Sequence, residues 1–237
     1  MKIKSNIGRS FFAGLGVLIS LAVHAELPAV STVYETSVSQ HVEASDEAHH
    51  KHKASKSQWY FWRSAKQVEV LNEQRDFGEK WTRTDKGIIF YQAIYHDKKF
   101  ILDFQPVDLK LLGQKTNWET QSTLVSSGLL AQLKKTSTSK FKQYKKVSYE
   151  GLVSGVHYKV EWLPELKIPY RIEKHEQNNK RIVTQLSELN SFDKIAHKPL
   201  DSEEYEAMDY SDIGDNESHP IVANLQNNKG ISYFHDH

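Results

Sequence analysis

Five histidines in two short segments raise the first question of chemistry. His49, His50 and His52 fall within four residues, and His235 and His237 flank Asp236. Imidazole nitrogens bind Zn²⁺, Cu²⁺ and Ni²⁺, and neighbouring carboxylates complete such shells. Both segments are therefore candidate zinc or copper ligands. Each lies in polar sequence without apolar period, where ordering the chain around an ion costs conformational entropy. Solvated tails are the competing reading.

A second candidate is the run Asp209-Tyr-Ser-Asp212-Ile-Gly-Asp215-Asn-Glu217, with carboxylates at three-residue spacing. Oxygen-rich loops of this kind suit calcium. The spacing is not that of an EF-hand loop. A solvated acidic loop, or one docked on the basic residues Lys142, Lys145 and Lys146, is the alternative. Catalytic signatures are missing from the sequence: there is no G-x-S-x-G elbow, no H-E-x-x-H, no P-loop and no dinucleotide fingerprint. His96 and His157 fall in expected strands, and Glu161 would share a face with His157. A strand histidine is usually a surface residue or a satisfied core one, so no catalytic residue is assigned. With 0 cysteines, a disulfide framework, a thiol nucleophile, a zinc–thiolate site and a lipid-attachment cysteine are all excluded. The expectation is a binding protein and not an enzyme.

The elements that must position any site are read from pattern. Aromatic and β-branched residues cluster in short runs at 59–63, 67–71, 79–84, 88–96 and 99–104, each of strand length. Asp85-Lys86-Gly87 between two of them is a hairpin signal. Leu124, Leu129, Leu130 and Leu133 predict one main helix near 117–135, with Gly128 weakening it. Strands resume at 141–149, 156–163, 167–174 and 180–189. His157, Lys159 and Glu161 alternate there with Tyr158, Val160 and Trp162, which gives a strand with one wet face. The expected fold is α+β, mainly β: a curled antiparallel half-barrel of about nine strands around one main helix.

Four segments follow. Residues 1–25 read as a cleavable signal peptide: Lys2, Lys4 and Arg9 precede an apolar stretch at 11–23, and Val-His-Ala ends it, so cleavage is expected after Ala25. The stretch is shorter than the roughly 20 apolar residues that span a bilayer. Residues 26–57 read as a flexible, histidine-containing lead-in, 58–192 as the sheet domain, and 193–237 as an acidic, irregular tail. The whole chain carries 31 Lys+Arg and 30 Asp+Glu. Removing Lys2, Lys4 and Arg9 leaves 28 against 30, a net charge of −2 on the mature chain. No strong field of one sign exists to draw nucleic acid. The expected location is the periplasm, with no transmembrane segment after cleavage.

Three features carry a resemblance: Trp81-Thr-Arg83 in an early strand, Tyr149-Glu-Gly151 leading into Tyr158-Lys-Val160-Glu-Trp162, and Leu163-Pro-Glu-Leu-Lys-Ile-Pro169. Over residues 58–190 the chain loosely resembles the periplasmic outer-membrane lipoprotein-carrier superfamily, a half-open β-barrel with a helical plug. The resemblance implies binding of a lipid, a lipoprotein cargo or an apolar peptide; the alternatives are a metal-binding protein using the histidine segments and an accessory protein that docks on an envelope partner through the acidic tail. It implies a cavity lined by aromatic residues, for which Trp59, Trp62, Trp81, Tyr91, Tyr158 and Trp162 are the candidates. Filling the core is the competing role for each. The family's tail-binding arginine matches no single position; Arg63, Arg83 and Arg171 are the candidates.

Overall fold

In the computed structural model of the chain, the described residues are 27–40, 55–72, 74, 76–176, 179–190 and 201–222. Eleven antiparallel strands and one parallel strand make a single curled, unclosed sheet. β1 (Val30–Gln40), β2 (Ser55–Arg63), β3 (Gln67–Asn72), β4 (Phe77–Arg83), β5 (Ile89–Tyr95) and β6 (Phe100–Phe104) form the first half. β7 (Lys134–Phe141), β8 (Tyr144–Val153), β9 (Val156–Leu163), β10 (Ile168–His175) and β11 (Lys180–Asn190) form the second. β12 (Glu206–Asp209) completes the order β12-β6-β5-β4-β3-β2-β1-β11-β10-β9-β8-β7. The mainly β, curled architecture is the expected one. The strand count is twelve against an expected nine or so.

The largest correction is β1. It lies inside the segment expected to be a flexible lead-in, and it is the seam of the molecule. It pairs with β2 on one side and β11 on the other, joining two meanders into one sheet. Its sequence, VSTVYETSVSQ, places Val30, Thr32, Tyr34, Thr36 and Val38 at period two. Threonine is polar but β-branched, so it extends a strand as readily as valine does. Ser55 to Ser57 of the same expected lead-in open β2. The three metal-ligand candidates between them, His49, His50 and His52, lie outside the described residues, as do His235 and His237.

The hairpin read from Asp85-Lys86-Gly87 joins β4 to β5, with Gly87 at φ 79° and its N–H bonded to Thr84 O at 2.9 Å. The single helix expected at 117–135 is two short ones. α1 (Pro106–Leu111) lies before them, then come α2 (Trp118–Thr123) and α3 (Ser127–Gln132). The break has local causes. Leu124 takes the left-handed conformation, φ 62°, and its N–H closes on Thr120 O. The Ser122 and Thr123 hydroxyls donate to the helix carbonyls of Trp118 and Glu119 at 2.6 Å each, and such back-bonding competes with a straight helix. Ser126 then caps α3, accepting from Leu129 N at 3.1 Å. From Lys134 the chain is a strand, because Lys-Lys-Thr-Ser-Thr-Ser-Lys carries no apolar face for a helix to bury.

The tail expected to be irregular also holds a strand. β12 runs parallel to β6, from Glu206 opposite Phe100 to Asp209 opposite Asp103. Tyr210 stacks on Phe104 at 4.7 Å between ring centroids, and Ile213 is buried in the main cluster. These apolar residues, interleaved with the carboxylates, dock the segment. The strand order sets this acidic run at one edge of the sheet. Among the described residues, Lys146 pairs with Glu161 and not with a carboxylate of this run.

The inner face of the sheet and the helices enclose the main core. Val30, Tyr34, Phe61, Val68, Trp81, Tyr91, Ala93, Phe100, Leu102 and Phe104 point inward, against Leu109 of α1 and Trp118 of α2. A second, smaller cluster joins Val125, Leu133, Val160, Trp162 and Ile172.

Candidate functional site: an apolar chamber at the seam

An elongated chamber of about 310 Å³ opens between the inner face of the sheet and the α2–α3 connection. That volume is at the lower end of small-molecule clefts, about 300–1,000 Å³. Strand pairing explains its floor. Asn72 of β3 lies at one end, followed by Ser57 and Trp59 of β2, then Thr36 and Val38 of β1. Thr184 and Ile182 of β11 come next, opposite Thr36 and Val38 in register. Ile172 and Lys174 of β10, then Tyr158 of β9, reach the other end. Six adjacent strands at a spacing of about 4.8 Å make a floor roughly 24 Å across. The roof is Leu124, Val125 and Leu129. Leu124 hangs inward because it terminates α2, and Leu129 because Ser126 starts α3 in a new direction.

The polar groups in the middle of the floor satisfy one another. Trp59 Nε1 donates to Thr36 Oγ1 at 3.0 Å, and the Thr36 and Thr184 hydroxyls are 2.9 Å apart. Trp59 also stacks on Tyr34 at 4.8 Å. At the β9 end, burial raises the pKa of the Tyr158 hydroxyl, with the Glu176 carboxylate adding to the effect, so the phenol stays neutral. The middle of the floor is thus apolar with its own hydrogen bonds closed, while Tyr158 and Lys174 bring polar groups to one end.

Of the six aromatic residues named from sequence, Trp59 and Tyr158 line this chamber. Trp81 and Tyr91 pack 4.3 Å apart in the main core, beside Glu79. Trp162 belongs to the second cluster. Trp62 is on the outer face, stacked on Tyr60 at 5.6 Å with Val33 and Leu71. Thr36, Thr184, Asn72 and Val125 were not singled out from sequence, and Leu124 and Leu129 were named only as the buried face of a helix. The signals that would have found them are the period-two pattern of β1 and the register of β1 on β11.

The three arginine candidates separate completely. Arg83 is exposed. Arg171 is on the outer face and donates to Gln185 at 3.1 Å and Glu173 at 2.9 Å. Arg63 is 0% exposed on the inner side. It makes five hydrogen bonds, all to backbone carbonyls: Pro28 O at 3.1 and 2.8 Å, Ser122 O at 2.6 Å, Leu166 O at 2.6 Å and Lys167 O at 3.0 Å. A guanidinium has five N–H donors, so none is left for a ligand in this conformation. Burial lowers its pKa to about 10, and it stays charged at neutral pH. The Leu163-Pro-Glu-Leu-Lys-Ile-Pro169 segment is the β9–β10 turn that this side chain grips.

Among the described residues, no group of three or more His, Cys, Asp or Glu side chains is arranged to hold a metal ion. The carboxylates of 201–217 therefore form no such group. His157 Nε2 is 3.2 Å from Glu150, and Glu161 pairs instead with Lys146 at 2.6 Å. His96 Nδ1 is 3.2 Å from the Tyr205 hydroxyl. None of the described helices is long and apolar enough to cross a membrane.

Solved structures are similar to this curled, open β-sheet at low TM-scores. The complex of MucA and MucB from Pseudomonas aeruginosa has a TM-score of 0.39 at 11% identity, over 73% of this chain and 53% of that one. A putative outer-membrane lipoprotein-sorting protein domain from Vibrio parahaemolyticus has a TM-score of 0.31 at 7% identity, over 72% of this chain and 88% of that one. PNGF-II has a TM-score of 0.37 at 12% identity, over 75% of this chain and 31% of that one. The chain thus spans about a third of PNGF-II and about half of MucB. No protein-family profile matches the chain, and no curated protein matches it. The loose resemblance read from sequence stands, and likenesses of this order carry no argument about ligand or activity.

Proposed function

We propose that the chain is an exported, carrier-like binding protein that holds an acyl chain or a short apolar segment in the seam chamber, without catalysing a reaction. The observation that carries this reading is the chamber itself: a trough across six strands, roofed by leucine and valine, whose central polar groups are already paired. Burying a methylene there is worth about 0.8 kcal/mol, so a chain of several carbons is held along the apolar middle of the floor, with Lys174 at one end. Export rests on the three-part pattern of residues 1–25. In a wet compartment such a trough shields an apolar chain in transit.

The test is binding of dodecanoic acid to the exported chain, followed by calorimetry and tryptophan emission. Leu129→Trp puts an indole into the chamber from the roof. The expected result is saturable one-site binding that weakens at least about tenfold in Leu129→Trp, equivalent to about 1.4 kcal/mol. Absence of binding to the wild-type chain, or equal affinity in the filled variant, overturns the reading.

A further inference from the structure

We infer that the chamber takes a single-chain amphiphile with an anionic head, a carboxylate or a phosphate, set at the β9–β10 end against Lys174 and Tyr158. This deepens the reading above and rests on it. Among the described residues that line the chamber, Lys174 is the one that carries a formal charge. The charge therefore lies at one end of an otherwise neutral trough.

Register brings the two polar groups together. Lys174 of β10 is directly opposite Tyr158 of β9, and side chains so placed on an antiparallel pair stand about 4.5–5.5 Å apart at Cβ. Both are half-buried, whereas Trp59, Val125 and Ile172 of the same chamber are buried. A head group at this end keeps part of its hydration while its chain lies in the dry part. An ammonium has three N–H donors and no acceptor, so Lys174 can bond within the protein and still serve a ligand oxygen. Burial and the Glu176 carboxylate keep the proton on the Tyr158 hydroxyl, which is then a second donor. Two donors side by side, one of them charged, suit an anionic oxygen.

The neighbouring charges agree in sign. Glu176, just past the end of β10, is the carboxylate that acts on Tyr158. Lys180 Nζ lies 3.7 Å from it. Lys174 and Lys180 against Glu176 leave a surplus positive charge at this end. A cationic head meets that surplus as repulsion, and a neutral head leaves it without a counter-charge. The opposite end, at Asn72 and Ser57, offers no charge. The ligand is thus oriented: head at β9–β10, chain running past the Thr36–Thr184 pair toward β3.

Four twelve-carbon probes test this: dodecanoate, dodecyl phosphate, dodecanol and dodecylammonium. Each is titrated at neutral pH and low ionic strength into the exported chain and into Lys174→Met, Lys174→Gln and Lys174→Arg variants. The expected result is that one or both anions bind the wild-type chain about tenfold tighter than dodecanol, with dodecylammonium weakest. Tighter binding of the phosphate assigns a phosphorylated amphiphile, and of dodecanoate a carboxylate. Lys174→Met and Lys174→Gln are expected to erase the preference while still binding dodecanol, and Lys174→Arg to keep it. The glutamine variant carries the test if the methionine variant does not fold. If dodecanol or dodecylammonium binds the wild-type chain as tightly as the anions, the inference is overturned and the chamber reading stands. A preference that survives the loss of charge at Lys174 has the same meaning. If no probe binds the wild-type chain, the chamber reading fails and this inference with it.

Discussion

The two halves of the sheet are built differently, and the chamber lies where they meet. On the β2–β6 side the inner face is filled: Phe61, Val68, Trp81, Tyr91, Ala93, Phe100, Leu102 and Phe104 belong to one buried cluster. On the β7–β10 side the buried apolar residues are fewer: Val160, Trp162 and Ile172 gather with Val125 and Leu133 in the small second cluster, and Leu163, Leu166 and Ile168 join the main one. Its edge strand β7 is exposed at every position from Lys134 to Lys140. Lysines at an open edge discourage pairing with another chain. One half is a scaffold, the other a lighter wing, and β1 hinges them by pairing with a strand of each. A cavity survives at the seam because the apolar supply thins there, and small residues such as Ser57, Thr36 and Thr184 floor it.

Arg63 is the contact that ties the halves together, so removing it is the largest way to break the comparison. Its donors reach Pro28 before β1, Ser122 in α2, and Leu166 and Lys167 in the β9–β10 turn. Arg63→Met keeps much of the volume and removes every donor. Four carbonyls then lose a charge-assisted bond, and breaking a buried charged network of this kind costs about 3–5 kcal/mol. Chemical denaturation is expected to show that loss. Proteolysis is expected to cut first in the β9–β10 turn or around Ser122, the segments released from the scaffold. A stability within about 1 kcal/mol of wild type would mean that the wing docks without its clasp.

How far this was legible in the sequence depends on the range of each interaction. Local signals were readable. The Asp85-Lys86-Gly87 hairpin and the alternation of His157, Lys159 and Glu161 with Tyr158, Val160 and Trp162 fix turn and face from neighbouring residues alone. β1 was misread as a lead-in because its inner face alternates valine and tyrosine with threonine, which a hydrophobicity pattern counts as polar. The helix at 117–135 was read as one piece because leucine spacing carries no record of the Leu124 conformation. Of the chamber, Trp59 and Tyr158 were named from sequence, but the contacts that assemble it could not be read. Thr36 and Thr184 meet across 148 residues of chain, and Arg63 reaches Leu166 across 103. Such contacts exist only once the strand order is known.

Two carboxylates, one in each half, sharpen the comparison through pH. Glu79 in the scaffold faces the core, with Tyr91 Oη donating to it at 3.2 Å. Burial raises its pKa from 4.5 to about 7, against the partial relief of that hydrogen bond. The folded state therefore favours the neutral acid. Its contribution is least unfavourable below pH 4.5, and stability falls as pH rises from 4.5 to about 7, by about 3 kcal/mol at 1.4 kcal/mol per unit. Glu79→Gln keeps a neutral group of the same shape at every pH. The variant is expected to melt higher than wild type at pH 8 and to match it at pH 4.5. Parallel melting curves for the two proteins across that range would show that Glu79 is not held neutral by the core.

Glu173 in the wing is the smaller effect and has the opposite sign. It lies on the outer face, where Arg181 Nε donates to it at 2.8 Å, Arg171 at 2.9 Å, and His175 Nε2 lies 2.7 Å away. The hydrogen bond from Arg181, with those from Arg171 and His175, holds its carboxyl far below the usual range, and partial burial offsets only some of that. A depressed pKa stabilises the folded state at all pH above 4.5, and the contribution drains away as pH falls below 4.5. The partners are part-exposed, at 34–46%, so each pair is worth less than 1 kcal/mol or so. Glu173→Gln is expected to cost about 1–2 kcal/mol at pH 7 and progressively less below pH 4.5. Wild-type stability should thus decline on both sides of pH 4.5, from the wing's ion pairs below it and from the scaffold's buried acid above it. If Glu173→Gln instead lowered stability equally at pH 7 and pH 2.5, the loss would come from packing on β10, and the wing would not be an electrostatic structure in the way the scaffold is an apolar one.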